Sequence, residues 1–411
     1  MTNKDKDIPY PFRIDVAKAE QLIGAQMPAY GSAAVPLAAA SGHVLRQRIL
    51  AERDQPPFDR ATMDGIAVRS AAVTKGLQSF AVAGIQAAGT AALELTADDQ
   101  CVEIMTGAPL PATGDTVIPV ERITLSDGEA QLEAGYEAQA GKFVHRRASD
   151  HKQADCLLEP GIRIGGPEMA ILTAAGQPVV EVSEQPSIAI ISTGDELTDV
   201  GEPIQDFQIR SSNDRAIESC LQLRGCDRTV RSRLPDEPQA LREQIAWLHD
   251  NNDVLILSGG VSMGKYDYVP AIMEELGIRV VFHKILQRPG LPMWFGVSQT
   301  HKPVFALPGN PVSTMVCCVR FVLPAIEAAM GLNRVPVERV QLAERIDFQP
   351  DLTWFLPVSL SWTSDGITLA HPKPTNTSGD FIGLRHTAGF IELPRGQAQF
   401  PKGFAANLYR W

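Results

Sequence analysis

Six short stretches of this chain gather residue types that could do chemistry on an anionic ligand. The first is Ser192-Thr193-Gly194-Asp195-Glu196-Leu197, two consecutive carboxylates directly after an apolar run. Such a pair at a strand's end can hold a hard cation such as Mg²⁺; the same pattern also makes a turn whose Asp caps the next element. The second is Ser258-Gly259-Gly260-Val261-Ser262-Met263-Gly264, followed by Asp267. Its glycines let backbone N–H groups approach an anion, and Ser262 adds a hydroxyl, although a plain βα loop has the same composition. The spacing is neither that of a Walker A motif nor G-x-G-x-x-G. The third, Leu307-Pro308-Gly309-Asn310-Pro311-Val312-Ser313, puts a helix N-terminus at a strand end, where an anion or a purely structural turn fits equally.

Three weaker stretches precede these. Pro57-Phe58-Asp59-Arg60-Ala61-Thr62-Met63-Asp64-Gly65 sets two Asp residues around a turn. Met105-Thr106-Gly107-Ala108-Pro109 reads as a β-turn after a strand. His145-Arg146-Arg147 with Asp150 is a basic cluster that could receive a phosphate or simply face solvent.

The elements that must position these residues are partly legible. Ile14, Ala17, Ala19 and Leu22 suggest one helix, and Pro36 to Leu50 a second. Between residues 54 and 145 short β-like runs, Phe80–Ala83, Cys101–Met105 and Val117–Pro119, are broken by Gly and Pro. Residues 146 to 183 mix turns and helix. From 184 the pattern is α/β: apolar runs Ser187–Ser192 and Asp253–Ser258 read as buried parallel strands. Thr229–Arg233, Arg279–Ile285 and Pro303–Ala306 read as further strands, and Asp214–Leu223 and Val269–Leu276 as helices. Asp236 stands as the N-cap of the helix PQALREQIAWLHD, and Asn310 with Pro311 as N-cap and N1 of a long helix. Strands alternating with helices imply a doubly wound sheet, which binds ligands outside its carboxyl strand ends. Residues 332 to 411 look all-β, with runs at Thr353–Leu360, Ile367–Leu369 and Phe390–Leu393.

Composition narrows the class. At 411 residues two to four domains are expected. The chain is 44% hydrophobic and 21% charged, ordinary for a globular protein, with no apolar run that reads as a membrane span and no signal-peptide core after MTNKDKDIPYPF. A cytoplasmic protein is expected. The net charge of −11 argues against nucleic acid as a partner, while leaving room for a locally basic pocket. Six cysteines form no C-x-x-C pair, and Cys317 and Cys318 read as buried thiols.

Taken together and in this order, the six stretches resemble the MoeA family of molybdopterin molybdenumtransferases and its eukaryotic relatives, including the gephyrin E domain. The resemblance covers nearly the whole chain. It implies a multidomain α/β plus β architecture: an elongated linking domain (10–50 and 146–183), a β-rich inserted domain (51–145), a doubly wound molybdopterin-binding α/β domain (184–331) and a C-terminal β-barrel (332–411). It also implies a homodimer whose cleft lies between the α/β domain of one subunit and the β-rich domain of the other. The implied reaction takes molybdate and adenylylated molybdopterin, requires Mg²⁺, releases AMP and leaves molybdenum on the dithiolene. An upstream adenylyltransferase and recipient molybdoenzymes are implied partners. Carried onto this sequence, Asp195, Glu196, Asp236 and Asp267 match acidic catalytic positions, with Asp195, Glu196 and Asp267 as metal ligands. Asp59, Asp64, Thr106 and Asp150 match polar positions supplied by the second subunit. Thr193, Gly194, Ser258, Gly259, Gly260, Ser262, Gly264, Arg288, Pro308, Gly309, Asn310, Pro311 and Ser313 match the ligand-cradling loops.

The chain departs from the family pattern at Ser149, where Glu is usual, at Ser211, where Asp is usual, and at Leu291, where the second lysine of Lys-Pro-Gly-Lys-Pro is usual. Losing a cation beside an anionic ligand costs on the order of 1–3 kcal/mol. Arg288 stands for the first lysine, and Arg210 is placed to compensate. The alternative to a transferase is a non-catalytic molybdopterin-binding carrier or regulatory paralogue; the retained carboxylates argue for catalysis. A scaffold and an adenylyltransferase fit the organisation less well.

Overall fold

The computed structural model describes residues 9–260 and 269–411. The chain forms two compact units: residues 47–160 with 166–179, and residues 1–46, 161–165 and 180–411.

The larger unit is built on a seven-stranded sheet in the order Phe12–Ile14, Arg279–Ile285, Trp294–Val297, Pro303–Leu307, Val254–Ser258, Ile188–Thr193, Thr229–Leu234. The last four run parallel to one another, and Trp294–Val297 runs antiparallel to both its neighbours. Alternation of side chains along the strands serves two cores. Ile188, Ile190, Val254 and Ile256 pack toward helices Val16–Gly24 and Asn213–Gln222 and the helical run Pro311–Ala329. Ala189, Ile191, Leu255 and Leu257 pack toward helices Pro238–Asn251 and Val269–Glu275. Helices on both faces make the sheet doubly wound, as expected. Each fully buried Ile or Leu contributes roughly 1.5–3 kcal/mol, so the central strands are pinned in register by packing on two sides.

Three expectations are corrected here. Pro36 to Leu50 is not a helix: a strand Ser32–Pro36 and a single 3₁₀ turn Leu37–Ala39 lead into an extended path. There Gly42 and Leu45 donate to Ile164 and Ile162 carbonyls, and Arg46 N–H to Glu181. Distant pairing of this kind overrides local helix propensity. The N-cap of Pro238–Asn251 is Glu237, whose carboxylate accepts from the Gln239 and Ala240 N–H groups, rather than Asp236. Asn310 is, as expected, the N-cap residue of Pro311–Cys317 with Pro311 in the first turn, although its side chain makes no cap bond. Finally, the run Pro311–Ala329 is long and apolar enough to cross a membrane by composition; 72% of its most apolar window is buried inside this fold as a core helix. Cys317 and Cys318 lie buried within it.

The C-terminal region closes on itself. Strands Thr353–Trp362, Thr368–Pro372, Glu338–Leu342, Ala405–Arg410 and Gly389–Leu393 follow in that order, and the last pairs back to the first, a five-stranded barrel filled by Val340, Leu342, Leu356, Val358, Ile391 and Leu408. Closure removes the exposed edges of a sheet. The parallel pairing of Gln287–Arg288 with Thr353–Trp354 stitches the α/β sheet region to the barrel.

The smaller unit centres on a six-stranded sheet in the order Thr116–Pro119, Gly65–Val68, Gln100–Ile104, Ser79–Gln86, Glu129–Leu132, Ile123–Ser126. Its short strands match the β-rich reading of residues 54 to 145. Ile49–Leu50 pairs with Cys156–Leu158, and Arg60–Ala61 with Val144–His145.

Candidate active site

In the larger unit the registers Ser192↔Ser258 and Ser258↔Leu307 bring three central strands to an end at one level. The loops carrying Gly194-Asp195-Glu196, Gly259-Gly260 and Pro308-Gly309-Asn310 therefore emerge side by side, the carboxyl-end edge where doubly wound sheets take ligands. Gly259 N–H donates to the Leu307 carbonyl at 3.2 Å. Asn213 ties the edge together: its Nδ2 donates to Ser258 Oγ and to the Gly309 carbonyl, both at 2.8 Å. Sequence reasoning did not select Asn213, although an Asn opening a helix beside a strand end was the available signal.

The glycines are required by space. Gly259 and Gly260 have φ of +100° and +68°. A Cβ would lie 2.8 Å from the Thr193 carbonyl oxygen at the first and 2.6 Å from Val269 Cγ2 at the second. Beneath them the hydroxyls of Ser192 and Thr193 are buried and have no hydrogen-bond partner among the described residues. Orphaned buried polar atoms are rare and costly, and at a ligand edge they mark groups awaiting a partner. Ser262, Gly264 and Asp267 lie outside the described residues.

Asp195 and Glu196 are both exposed at this edge. Asp195 Oδ1 accepts the Asp236 backbone N–H at 3.1 Å, which brings Asp236 alongside and gives Asp195 a turn-closing role as well. Among the described residues no group of three His, Cys, Asp or Glu side chains converges into a metal cage. A Mg²⁺ ion keeps several waters and takes one or two carboxylates plus substrate oxygens, so the exposed Asp195–Glu196 pair fits that ion as a partial ligand set.

Beside this edge lies a cleft of about 470 Å³. Arg288, Leu291, Pro308, Asn310 and Ser313 line one wall, and Trp354 with Thr375 to Ser378 of the barrel line the other. The helix beginning at Pro311 meets the barrel here: Val312 N–H donates to the Ser378 carbonyl at 3.0 Å, and Asn310 Nδ2 to Ser378 Oγ at 2.8 Å. One of the N–H groups expected to be open to an anion is thus already satisfied. The segment Asn376–Ser378 was missed from sequence because its role comes from a contact about 70 residues away along the chain. Pro311 serves in the helix start, one residue from the lining.

The departures from the family pattern resolve into distinct roles. Ser211 is buried, and its hydroxyl donates to Asp214 Oδ1 at 2.9 Å, while Arg231 binds Asp214 Oδ2 at 2.9 Å. Arg210 does not compensate at the edge: its guanidinium is held by the carbonyls of Asp199 and Glu202. Leu291 contributes an apolar patch to the cleft.

The second polar set belongs to the smaller unit and is internally paired. Asp64 Oδ1 accepts from the Thr106 N–H at 2.6 Å and hydroxyl at 2.8 Å, and these two bonds hold its carboxyl below the usual value. Burial pushes Asp59 up, but the Arg147 N–H at 2.7 Å and the Arg146 guanidinium at 2.5 Å outweigh it and leave its pKa lowered. Arg147 itself binds Asp54 at 2.8 Å. His145 bridges Asp150 at 2.8 Å and Arg60 at 3.1 Å. The basic cluster, read from sequence as either a phosphate site or a solvated face, is matched by carboxylates, with Asp59 and Asp150 brought to the same strip of chain and Asp64 with Thr106 on a neighbouring turn.

Comparison with known proteins agrees with this arrangement along the whole chain. Residues 14–176 match the model of the MoeA N-terminal region (domain I and II), residues 189–328 the probable molybdopterin binding domain, and residues 339–411 the MoeA C-terminal region (domain IV). A molybdopterin molybdenumtransferase of Synechocystis sp. is 37% identical over 399 residues, covering 97% of this chain and 100% of the relative. One from Nostoc sp. is 32% identical, covering 90% of this chain and 86% of that protein. The crystal structure of a molybdopterin biosynthesis MoeA protein from Pyrococcus horikoshii is 28% identical and superposes with a TM-score of 0.79, covering 97% of this chain and 99% of that one. The chain belongs to the MoeA family of molybdopterin molybdenumtransferases.

Proposed function

We propose that this chain is a transferase of molybdenum cofactor biosynthesis that inserts molybdenum from molybdate into adenylylated molybdopterin and releases AMP. The observation that carries the reading is the full-length likeness to proteins bearing the name molybdopterin molybdenumtransferase. The strand-end edge supports it with a matching chemistry.

Gly259 and Gly260 leave the backbone bare where an anionic group must approach, and the orphaned Ser192 and Thr193 hydroxyls supply donors from below. Asn213 holds the Ser258 and Gly309 loops at a fixed separation, so the site needs little rearrangement on binding. Asp195 and Glu196, with Asp267, would hold Mg²⁺, which neutralises charge developing as the adenylyl bond breaks. Arg288 offers a guanidinium to an oxyanion at the cleft. Asp59, Asp64, Thr106 and Asp150 of a second copy complete the site in a cytoplasmic homodimer; the Asp64–Thr106 pair, and the bonds of Asp59 to Arg146 and of Asp150 to His145, keep them in fixed positions for that task.

The test is a single-turnover mixture of the protein with adenylylated molybdopterin, molybdate and Mg²⁺. AMP release is expected in wild type and a loss of at least about 100-fold in Glu196→Gln. Binding of the nucleotide with no cleavage by wild type overturns the reading in favour of a carrier.

A further inference from the structure

The turn Arg288-Pro289-Gly290-Leu291 projects into the cleft from the point where the α/β region joins the barrel. What holds it is a residue that no part of the mechanism uses. Gln287 is completely buried, directly beneath the turn. Its Nε2 donates to the Pro289 carbonyl at 3.2 Å and faces Cys317 Sγ at 3.4 Å. Cys317 Sγ in turn lies 3.7 Å from the Gly290 carbonyl oxygen. Gly290 has φ of +94°, and a Cβ there would meet both Cys317 Sγ and Gln287 Nε2 at 2.6 Å. The turn is thus seated on a polar pad made of one amide and one thiol. A hydrophobic residue would fill this volume at lower cost, because Gln287 Oε1 has no hydrogen-bond partner among the described residues. A buried amide that gives up one acceptor to fix a single carbonyl is explained by what that carbonyl carries.

We infer that Gln287 is a positioning residue for oxyanion binding: it fixes the Arg288–Leu291 turn so that the Arg288 guanidinium meets an anionic group of the substrate, molybdate or phosphate, in the cleft. The inference rests on the reading of the cleft as part of the substrate site. It also accounts for the tolerance of Leu291. With one cation in place of two, the remaining one must be held in a defined direction, because a guanidinium fork is directional where an ammonium is not.

The experiment compares wild type with Gln287→Met, which keeps volume and removes the amide, and with Cys317→Ser, which keeps a polar partner opposite the Gln287 amide. Four quantities are read: melting temperature, the KM and kcat for molybdate in AMP release, and the Kd of adenylylated molybdopterin followed by tryptophan fluorescence. Loss of a purely positioning contact weakens ground and transition states alike. Gln287→Met is therefore expected to raise the molybdate KM or the Kd of the nucleotide about tenfold, with kcat within about twofold. Cys317→Ser stays within about twofold in KM, kcat and Kd. Gln287→Met with unchanged KM and Kd overturns the inference, as does a fall in kcat that tracks a fall in melting temperature. The Kd comparison needs no turnover, so a wild type that binds without releasing AMP removes the transferase reading and still decides the role of Gln287.

Discussion

Two polar regions of this molecule contrast sharply in what they leave undone. At the strand-end edge of the α/β sheet, glycines keep space open and the buried Ser192 and Thr193 hydroxyls have no partner among the described residues. In the smaller unit, Asp54, Asp59, Asp64 and Asp150 each already bind an arginine, a histidine or a threonine. The first region stores unsatisfied hydrogen-bonding capacity, which is costly until a ligand arrives. The second spends its charges on itself and so fixes geometry. On the proposed function, the edge that binds an anion and the strip that presents groups rigidly thus differ in how far their polar atoms are paired within the chain.

The largest effect is expected where the edge loses its space. Gly260→Ala puts a Cβ at positive φ against Val269 and should destabilise by about 2 kcal/mol or more, with AMP release falling at least about 100-fold; thermal unfolding and the single-turnover assay read the two. Retention of activity would mean that the edge is not the ligand site. Next, Thr193→Val removes an orphaned hydroxyl. It should leave stability unchanged or raise it by up to about 1 kcal/mol in urea unfolding, while weakening nucleotide binding measured by calorimetry. A loss of stability would show that the hydroxyl already has an internal partner. The smallest mutational effect is expected in the smaller unit, where Asp59→Asn breaks a half-exposed ion pair and should cost less than about 1 kcal/mol in the same unfolding experiment.

Acid should separate the regions as well. Asp54 is held low chiefly by the Gln153 N–H, and Asp64 by the Thr106 N–H; Asp59 is also lowered, although burial opposes it. Carboxyls lowered in the folded state stabilise fully above the unfolded value near about 3.9, and that stability is lost as pH falls through the lower folded values. Protection of residues 47–160 in hydrogen exchange should therefore be flat above about pH 5 and fall below about pH 4. An increase in protection on acidification would contradict the pairing.

Much of the larger unit was legible because buried parallel strands are nearly continuous apolar runs, and Ile188–Thr193, Val254–Ser258 and Pro303–Leu307 stand out as such. The loops at their ends followed directly. Trp294–Val297 and the edge strand Phe12–Ile14 did not, since their identity as strands comes from pairing with Arg279–Ile285 rather than from a local pattern. Residues 36 to 50 failed for the same reason: their backbone is satisfied by partners more than a hundred residues away. Arg210 was misplaced because an arginine beside a site looks like an anion ligand until two nearby carbonyls are seen to hold it. The N-cap slipped by one residue, from Asp236 to Glu237, a choice that adjacent acids before a Pro do not settle.

The central claim is most directly tested by measuring AMP release and molybdenum incorporation together in one turnover of the purified protein with adenylylated molybdopterin, molybdate and Mg²⁺. The account predicts equal amounts of AMP and metallated cofactor, both dependent on molybdate. Nucleotide that remains bound and intact in the presence of molybdate would contradict it.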